Sequence, residues 1–345
     1  MNKPSISVIN TDSYFNNDNL FLVSAGLDNA LEPFRRLKEV FELEGYSIHT
    51  SDILPPEDAD ILIFLEVPDF NILNGRKSPK DFPGKRCFLI ILECVLLRSN
   101  NFNKSFHEGY EKIFTWDDEL IISNPELYFK INFAQSFNTS INKPANERTG
   151  FMACISGNKR MSHVGELYSK RLEVINFYEK KQPLHFSLFG SGWNEFRVSS
   201  NSILRPLNFF FRRLPRIKNL RPSYKGRVES KLATLVNFKF NLCFENYTGQ
   251  KGYITEKIFD SFMAGSIPIY WGPDNIEEYI PPSTFIDYRK FKNASECHNF
   301  LLNLDVASLI EYQNQINKFL SSNELSIFST EYFVNTVVSC VTLKK

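Results

Sequence analysis

FKFNLCFENYTGQKGYITEKIFDSFMAGSIPIYWGPDNIEEYIPPSTFIDY, residues 238–288, alternates the patterns that a strand–helix–strand unit needs. Phe240 to Phe244 is an apolar run of strand formers that ends on the polar pair Glu245-Asn246. The loop that follows holds Gly249 and Gly252, whose backbones can take positive φ and approach a ligand closely. Ile254, Ile258 and Phe262 then recur every four residues, the spacing of one buried helix face, and predict a helix over 255–264. Thr255 suits its N-cap and Gly265 its stop. A second strand, 267–270, runs into the turn signal Gly272-Pro273.

Glu256 and Lys257 fall in the first turn of that helix. A helix N-terminus offers unpaired N–H groups and a partial positive charge, which suits a phosphate. Lys257 adds a full charge, and Glu256 can accept hydrogen bonds from sugar hydroxyls. An isolated Thr-Glu-Lys is more often a solvated first turn with a dipole-favoured glutamate. The glycine-bearing loop in front and the apolar strands on both sides tilt the reading toward a ligand site.

The stretch resembles the signature of the α-1,3/1,4-fucosyltransferases, glycosyltransferase family 10. The resemblance runs through Phe240-Asn241-Leu242-Cys243-Phe244-Glu245-Asn246, then Gly252-Tyr253-Ile254-Thr255-Glu256-Lys257, then Ile267-Pro268-Ile269-Tyr270-Trp271-Gly272. It continues in Tyr279-Ile280-Pro281 and Phe285-Ile286-Asp287. It implies the α/β GT-B fold, in which two facing Rossmann-like domains with parallel sheets flank a cleft. It also implies inverting transfer of L-fucose from GDP-fucose to the 3-OH or 4-OH of GlcNAc or a related sugar. Alternatives of the same fold are transfer of another GDP-sugar, or a catalytically silent GDP-sugar or glycan-binding protein. Asn246, Tyr253, Glu256 and Lys257 match the family's donor-site residues; Tyr247 departs from it where many members have a small serine.

With 345 residues the chain has room for two domains, each large enough to bury its own core. Its 43% hydrophobic and 23% charged residues fit a globular enzyme. The formal charge of +1 gives no argument for a nucleic-acid partner. Phe is frequent, at 33 residues, without a functional reason in the sequence. Six cysteines make no CxxC pair, so a disulfide framework or zinc site is not expected and a reducing compartment fits. The N-terminal MNKPSISVIN lacks a signal-peptide core, and no apolar run is long enough for a membrane span. Animal and plant members of the resembled family carry a membrane anchor and work in the Golgi. This chain looks like the anchorless bacterial type, with a cytoplasmic location and peripheral contact at the inner membrane as the expectation.

Residues 1–145 read as a first, acceptor-side domain of strands alternating with helices, which predicts a parallel sheet with helices on both faces. Its strands are expected near 5–9, 46–50, 59–65, 87–93 and 112–115, and a helix over 28–44. Glu93 ends the run Phe88-Leu89-Ile90-Ile91-Leu92, and a carboxylate emerging from such a run is costly unless it serves something. A salt-bridge or helix-cap residue is the plain alternative. The resemblance makes Glu93 the general base, although Cys94-Val95 stand where the family has a small residue and a proline.

Residues 150–325 read as the GDP-sugar domain, after a polar linker over 138–149, and 326–345 as a terminal helix returning to the first domain. Gly190-Ser191-Gly192 lacks the third glycine of a dinucleotide loop, with Glu195 in its place, which disfavours an oxidoreductase. Arg171 aligns with a helical arginine that meets the donor diphosphate in the family, and Lys225 rejoins the motif after an inserted stretch. That stretch, 197–227, interleaves arginines and lysines with Phe209-Phe210-Phe211, Leu207 and Leu214. Such a mixture suits either a solvated loop or contact with an anionic membrane.

The expected catalytic set is therefore Glu93 with Lys257 and Arg171, and the donor set Asn246, Tyr253, Glu256, Lys257, Arg171 and Lys225. No Asp-x-Asp motif lies at a strand end, so no metal site is evident and no cofactor is required, with divalent-metal stimulation left open. The partners expected are GDP-fucose and an acceptor oligosaccharide or lipid-linked glycan.

Overall fold

Two six-stranded, wholly parallel sheets carry the chain, each in its own unit. The structure, a computed structural model, describes residues 3–22, 30–68, 78–137, 143–194 and 221–343. The first unit comprises Met1–Phe137, Gln250–Tyr253 and Asn323–Lys345; the second comprises Asn138–Gly249 and Ile254–Ser322.

In the first unit the sheet is ordered β2-β1-β3-β4-β5-β6. Its strands are β1 Ser5–Ile9, β2 Ser47–Thr50, β3 Ile61–Leu65, β4 Arg86–Ile91, β5 Lys112–Thr115 and β6 Tyr128–Lys130. The central strands are covered on both faces, which is why β3 is the unbroken run ILIFL with every residue buried. One face packs against α1 (Glu32–Leu43) and the terminal helix (Thr330–Thr342). Phe34 meets Phe333 edge-on at 5.7 Å there, and Leu37, Phe41, Val334 and Val337 close the layer.

The other face departs from the expected helical cover. Short 3₁₀ turns at Ser99–Phe102 and Lys104–Phe106 lie there with α2 (Asp118–Ser123), around Leu62, Phe64, Leu89, Ile91 and Ile113. The connection from β4 to β5, residues 92–111, is asparagine-rich and lacks the periodicity of a helix. The helix expected over 28–44 runs from Glu32, with Pro33 in its first turn, and 23–29 lie outside the described residues.

The second sheet is ordered β12-β11-β10-β7-β8-β9. Its strands are β7 Gly150–Ile155, β8 Phe186–Phe189, β9 Tyr224–Gly226, β10 Phe238–Phe244, β11 Ile267–Trp271 and β12 Ile286–Asp287. Numbered within the unit, this is the doubly wound order 3-2-1-4-5-6, whose direction of winding reverses between β7 and β10. Ligands of such sheets bind beyond the carboxyl ends of the strands at that reversal. The helices are α3 Tyr168–Lys181, α4 Lys231–Leu235, α5 Glu256–Ala264, α6 Ala294–Leu302 and α7 Val306–Leu320, and the terminal helix of the first unit is α8. Gly265 ends α5 in the left-handed conformation, at φ 64°. Gly190, at φ +120°, lies so close to the end of β7 that a Cβ would fall 2.1 Å from the Ser156 carbonyl.

Buried Arg148 ties this unit together from inside. Its guanidinium donates to the carbonyls of Lys143, Leu235, Phe238 and Ala264, so it closes the ends of α4 and α5 against the start of β10. Burial pushes its pKa down to about 10. The six cysteines are free thiols. Among the described residues no helix is long and apolar enough to cross a membrane. The basic stretch of the sequence reading lies outside the described residues over 195–220.

Candidate active site

At the carboxyl end of β10, next to the winding reversal, the chain buries a carboxylate and surrounds it with donors. Glu245 is fully buried. Its Oε1 accepts from the Thr255 N–H at 2.9 Å and the Tyr270 hydroxyl at 3.1 Å. Its Oε2 accepts from the Thr255 hydroxyl at 2.7 Å and from Lys257 Nζ at 3.1 Å. Buried charge is tolerated when paired and hydrogen-bonded in this way.

Thr255 occupies the N-cap of α5, as its sequence suggests, yet makes no side-chain cap bond. Its hydroxyl turns to Glu245 instead, which leaves the first-turn amides of α5 without that cap. Lys257 Nζ also donates to Thr255 Oγ1 at 2.8 Å and lies 3.7 Å from Glu256 Oε1. Burial works against its charge, but Glu245 and Glu256 outweigh burial and hold its pKa above the ordinary lysine value. The Lys257 side chain keeps 22% exposure.

Glu256 is an anion throughout the working range. Burial alone would raise its carboxyl, but Lys257, Lys231 and local hydrogen bonds pull it down to about 2. Arg171, on α3, is buried and donates from Nη2 to the carbonyls of Phe244 at 2.6 Å and Glu245 at 3.1 Å. Two cations therefore converge on the end of one strand, and Arg171 is near enough to oppose the charge on Lys257. A pair of fixed cations at a sheet's winding reversal suits a diphosphate.

In the first unit, the ends of β3 and β4 bear carboxylates. Glu93 is half-buried just past β4. Glu66 is buried just past β3, where its Oε1 accepts the N–H groups of Leu92 at 3.1 Å and Glu93 at 3.0 Å. Gln250 accepts the Val95 N–H at 2.8 Å and donates to Asp117 at 3.0 Å, and the Tyr253 ring packs on Trp116 at 4.8 Å, tilted by 50°. Gly252 belongs to this packing: a Cβ there would fall 2.4 Å from the Trp116 carbonyl.

The model of the glycosyltransferase family 10 (fucosyltransferase) C-terminal region matches residues 217–327. The chain is 42% identical over 74 residues to the Helicobacter pylori alpha-(1,3)-fucosyltransferase FucT, which is 21% of this chain and 15% of that protein. It is 42% identical over 76 residues to the mouse 4-galactosyl-N-acetylglucosaminide 3-alpha-L-fucosyltransferase 9, 21% of each chain. The chain thus spans only about a sixth to a fifth of the curated relatives' length.

The likeness of solved structures is far wider. An alpha1,3-fucosyltransferase crystallised with GDP superposes over 99% of this chain and 92% of that one, with TM-score 0.53 and 15% identity. Anabaena HepE in complex with UDP-glucose superposes over 98% of this chain and 99% of that one, with TM-score 0.56 and 10% identity. At these identities the likeness speaks for the fold, two Rossmann-like units of the GT-B type.

The family 10 segment contains Lys225, Asn246, Tyr253, Glu256 and Lys257, whereas Glu93 and Arg171 fall outside it. The structure gathers Arg171, Glu256 and Lys257 at the carboxyl end of β10, where half-buried Asn246 accepts the Leu167 N–H at 3.0 Å. Lys225 is exposed on β9. Tyr253 belongs to the first unit, with Glu93. Tyr247 lies edge-on to His163 at 5.7 Å, and a Cβ on Gly165 would meet its ring at 2.8 Å.

Sequence reasoning passed over Glu66 and Glu245. Both end apolar strands, the same signal that singled out Glu93. Glu93 is therefore not the sole strand-end carboxylate of the first unit among the described residues. Glu66 has both oxygens engaged from within, so it offers no nucleophile.

Proposed function

We propose that this chain transfers L-fucose from GDP-fucose to a hydroxyl of an acceptor glycan, with inversion at the anomeric carbon. The observation that carries the reading is the Glu245–Thr255–Lys257 cluster, an ammonium fixed at the carboxyl end of β10 within the family 10 segment. Glu93 takes the proton of the acceptor hydroxyl, and the freed oxygen pair attacks the anomeric carbon. The bond from that carbon to the β-phosphate oxygen breaks, and its electron pair leaves with GDP. Lys257 and Arg171 stabilise the charge that grows on the diphosphate, which is the electrostatic work a metal does in other transferases. Glu256, always an anion, accepts hydrogen bonds from sugar hydroxyls, while Asn246, Tyr253 and Lys225 complete the donor contacts.

The acceptor proposed is an oligosaccharide or lipid-linked glycan bearing GlcNAc or a related sugar. With a lipid-linked acceptor, residues 197–227 would rest on an anionic membrane. Wild-type protein should then sediment with anionic vesicles at low salt, and charge reversal of Arg212, Arg213 and Arg216 should weaken this.

A donor screen tests the central reading. GDP-fucose, GDP-mannose, GDP-galactose and UDP-glucose are offered with a glycan array, and GDP or UDP release and product mass are recorded, with and without a chelator. Turnover of GDP-fucose alone is the expected result. Turnover of another donor replaces fucose in the reading, and GDP binding without turnover makes the chain a silent binder.

A further inference from the structure

Residues 92–95, which carry Glu93, lie past the end of β4, and side chains hold their backbone in place of a sheet ladder. Leu92 donates its N–H to Glu66 Oε1 at 3.1 Å, and its carbonyl accepts from Trp116 Nε1 at 2.7 Å. Glu93 donates its N–H to the same Glu66 oxygen at 3.0 Å, and its carbonyl accepts from the Asn101 amide at 3.2 Å. The Cys94 carbonyl closes a turn, accepting the N–H groups of Leu97 at 3.0 Å and Arg98 at 2.9 Å. At the head of that turn stands the Val95 N–H, and Gln250 Oε1 takes it at 2.8 Å.

Gln250 is 155 residues further along the chain, yet Gln250–Tyr253 belongs to the first unit. Its two partners demand one orientation of its amide. The Val95 N–H can only donate, and the Asp117 carboxylate accepts Gln250 Nε2 at 3.0 Å. Asp117 is buried, and its Oδ1 is engaged in turn as the N-cap of α2, where it accepts the Leu120 N–H at 2.8 Å. The backbone beside Gln250 is anchored as well. The Lys251 carbonyl accepts the Asp118 N–H at 3.3 Å, and Gly252 lies against the Trp116 carbonyl.

Val95 is the second residue of the Cys94–Leu97 turn, a place where every residue but proline brings an N–H and a soft φ. Rotation there moves the peptide that joins the turn to Glu93. A general base works only within hydrogen-bond reach of the proton it takes, and a misplacement of about 1 Å can cost about a hundredfold in rate.

We propose that Gln250 is a positioning residue for Glu93, its amide pinning the turn behind the base. The inference rests on Glu93 being the base, and Gln250 acts through it.

Amide hydrogen exchange reads the bond without any turnover. Gln250→Met keeps the side-chain length and removes both hydrogen bonds. The Val95 amide should then exchange about tenfold faster or more, whereas the Leu92 and Glu93 amides, held by Glu66, should keep their wild-type rates. Where Gln250→Met fails to fold, Asp117→Asn serves. Its oxygen can still cap α2, and its amide turns the Gln250 amide over, which sets Nε2 against the Val95 N–H. Unchanged exchange at Val95 overturns the proposal, and so does an equal rise at all three amides, which marks general loosening of the strand end.

The catalytic arm is a rescue. Gln250→Met should lower kcat about tenfold or more, while the Kd for GDP stays at its wild-type value. Val95→Pro removes the N–H and fixes φ near the value that this turn position takes. In that background Gln250→Met should leave kcat within about twofold of Val95→Pro alone, and in a Glu93→Gln background it should likewise add nothing. A loss that persists in either background, or one expressed in GDP affinity, overturns the positioning role. Wild-type kcat in Glu93→Gln, or absence of turnover with every sugar nucleotide, overturns the assignment of the base and this role with it. The exchange arm still reports in that case whether Gln250 holds the turn.

Discussion

Lys257 Nζ lies 3.1 Å from Glu245 Oε2, and the two charges are set in one unit by strand β10 and helix α5. Breaking such a pair leaves one buried charge uncompensated. Glu245→Gln or Lys257→Ala alone should each cost on the order of 3–5 kcal/mol of stability, read as a shift in the urea midpoint. The double change Glu245→Gln/Lys257→Met should recover much of that loss, because the uncompensated charge is gone. Activity should not recover, since the cation at the diphosphate is still missing. Recovery of activity in the double variant would remove Lys257 from the mechanism.

Glu93→Gln keeps shape and hydrogen bonding but cannot take a proton. kcat should fall about a hundredfold or more, which is the range for loss of a general base. GDP affinity measured by calorimetry should be unchanged, because the cations proposed to hold GDP belong to the other unit. A variant with normal stability and normal kcat would return Glu93 to a plain strand-end carboxylate.

Arg148 replaces a carboxylate partner with four backbone carbonyls. Arg148→Ala would leave these acceptors unpaired beneath α4 and α5, and should cost about 3–5 kcal/mol. Arg148→Lys should be nearly as damaging, because one ammonium cannot span acceptors arranged for a planar fork. Denaturation of the purified variants measures both. A cost below about 1 kcal/mol for Arg148→Lys would show that the fork geometry is unimportant.

The strands and the long helices were legible because burial imposes a period, and a period is visible in one sequence. β3, β4 and β10 are apolar runs for that reason, and α5 begins and ends at Thr255 and Gly265. The abundance of Phe has a structural cause: Phe64, Phe88, Phe114, Phe240, Phe244, Phe259 and Phe262 are all fully buried in the two units' interiors.

What escaped the sequence depends on who bonds to whom. Thr255 looks like a cap, but its hydroxyl is taken by a glutamate ten residues earlier, a competition no local pattern encodes. Glu66 escaped for a similar reason. Its left-handed backbone and its grip on Leu92 and Glu93 arise only when β3 and β4 pair. The residues of the first unit's second face, joined by 3₁₀ turns, have no period to read.

His298 is buried among Phe151, Phe177 and Tyr178, with its Nδ1 3.2 Å from the Tyr178 hydroxyl and the His185 ring 5.4 Å away. Burial pushes its pKa below the usual value, and His185 adds to the effect. The folded state therefore binds a proton less readily than the unfolded chain, whose histidines titrate at about 6.5. The stability due to neutral His298 is present in full above that pH and is lost as the pH falls through it toward the folded value. Buried His107 in the first unit carries the same sign, and Glu66 the opposite one, losing stability as the pH rises toward 8. A difference measurement separates His298 from both. His298→Gln keeps a polar group for Tyr178 but removes the titration, so its urea midpoint should fall less than that of wild type between pH 7.5 and 5.5. Equal falls in the two proteins would mean that His298 ionises in the folded state as readily as in the unfolded one.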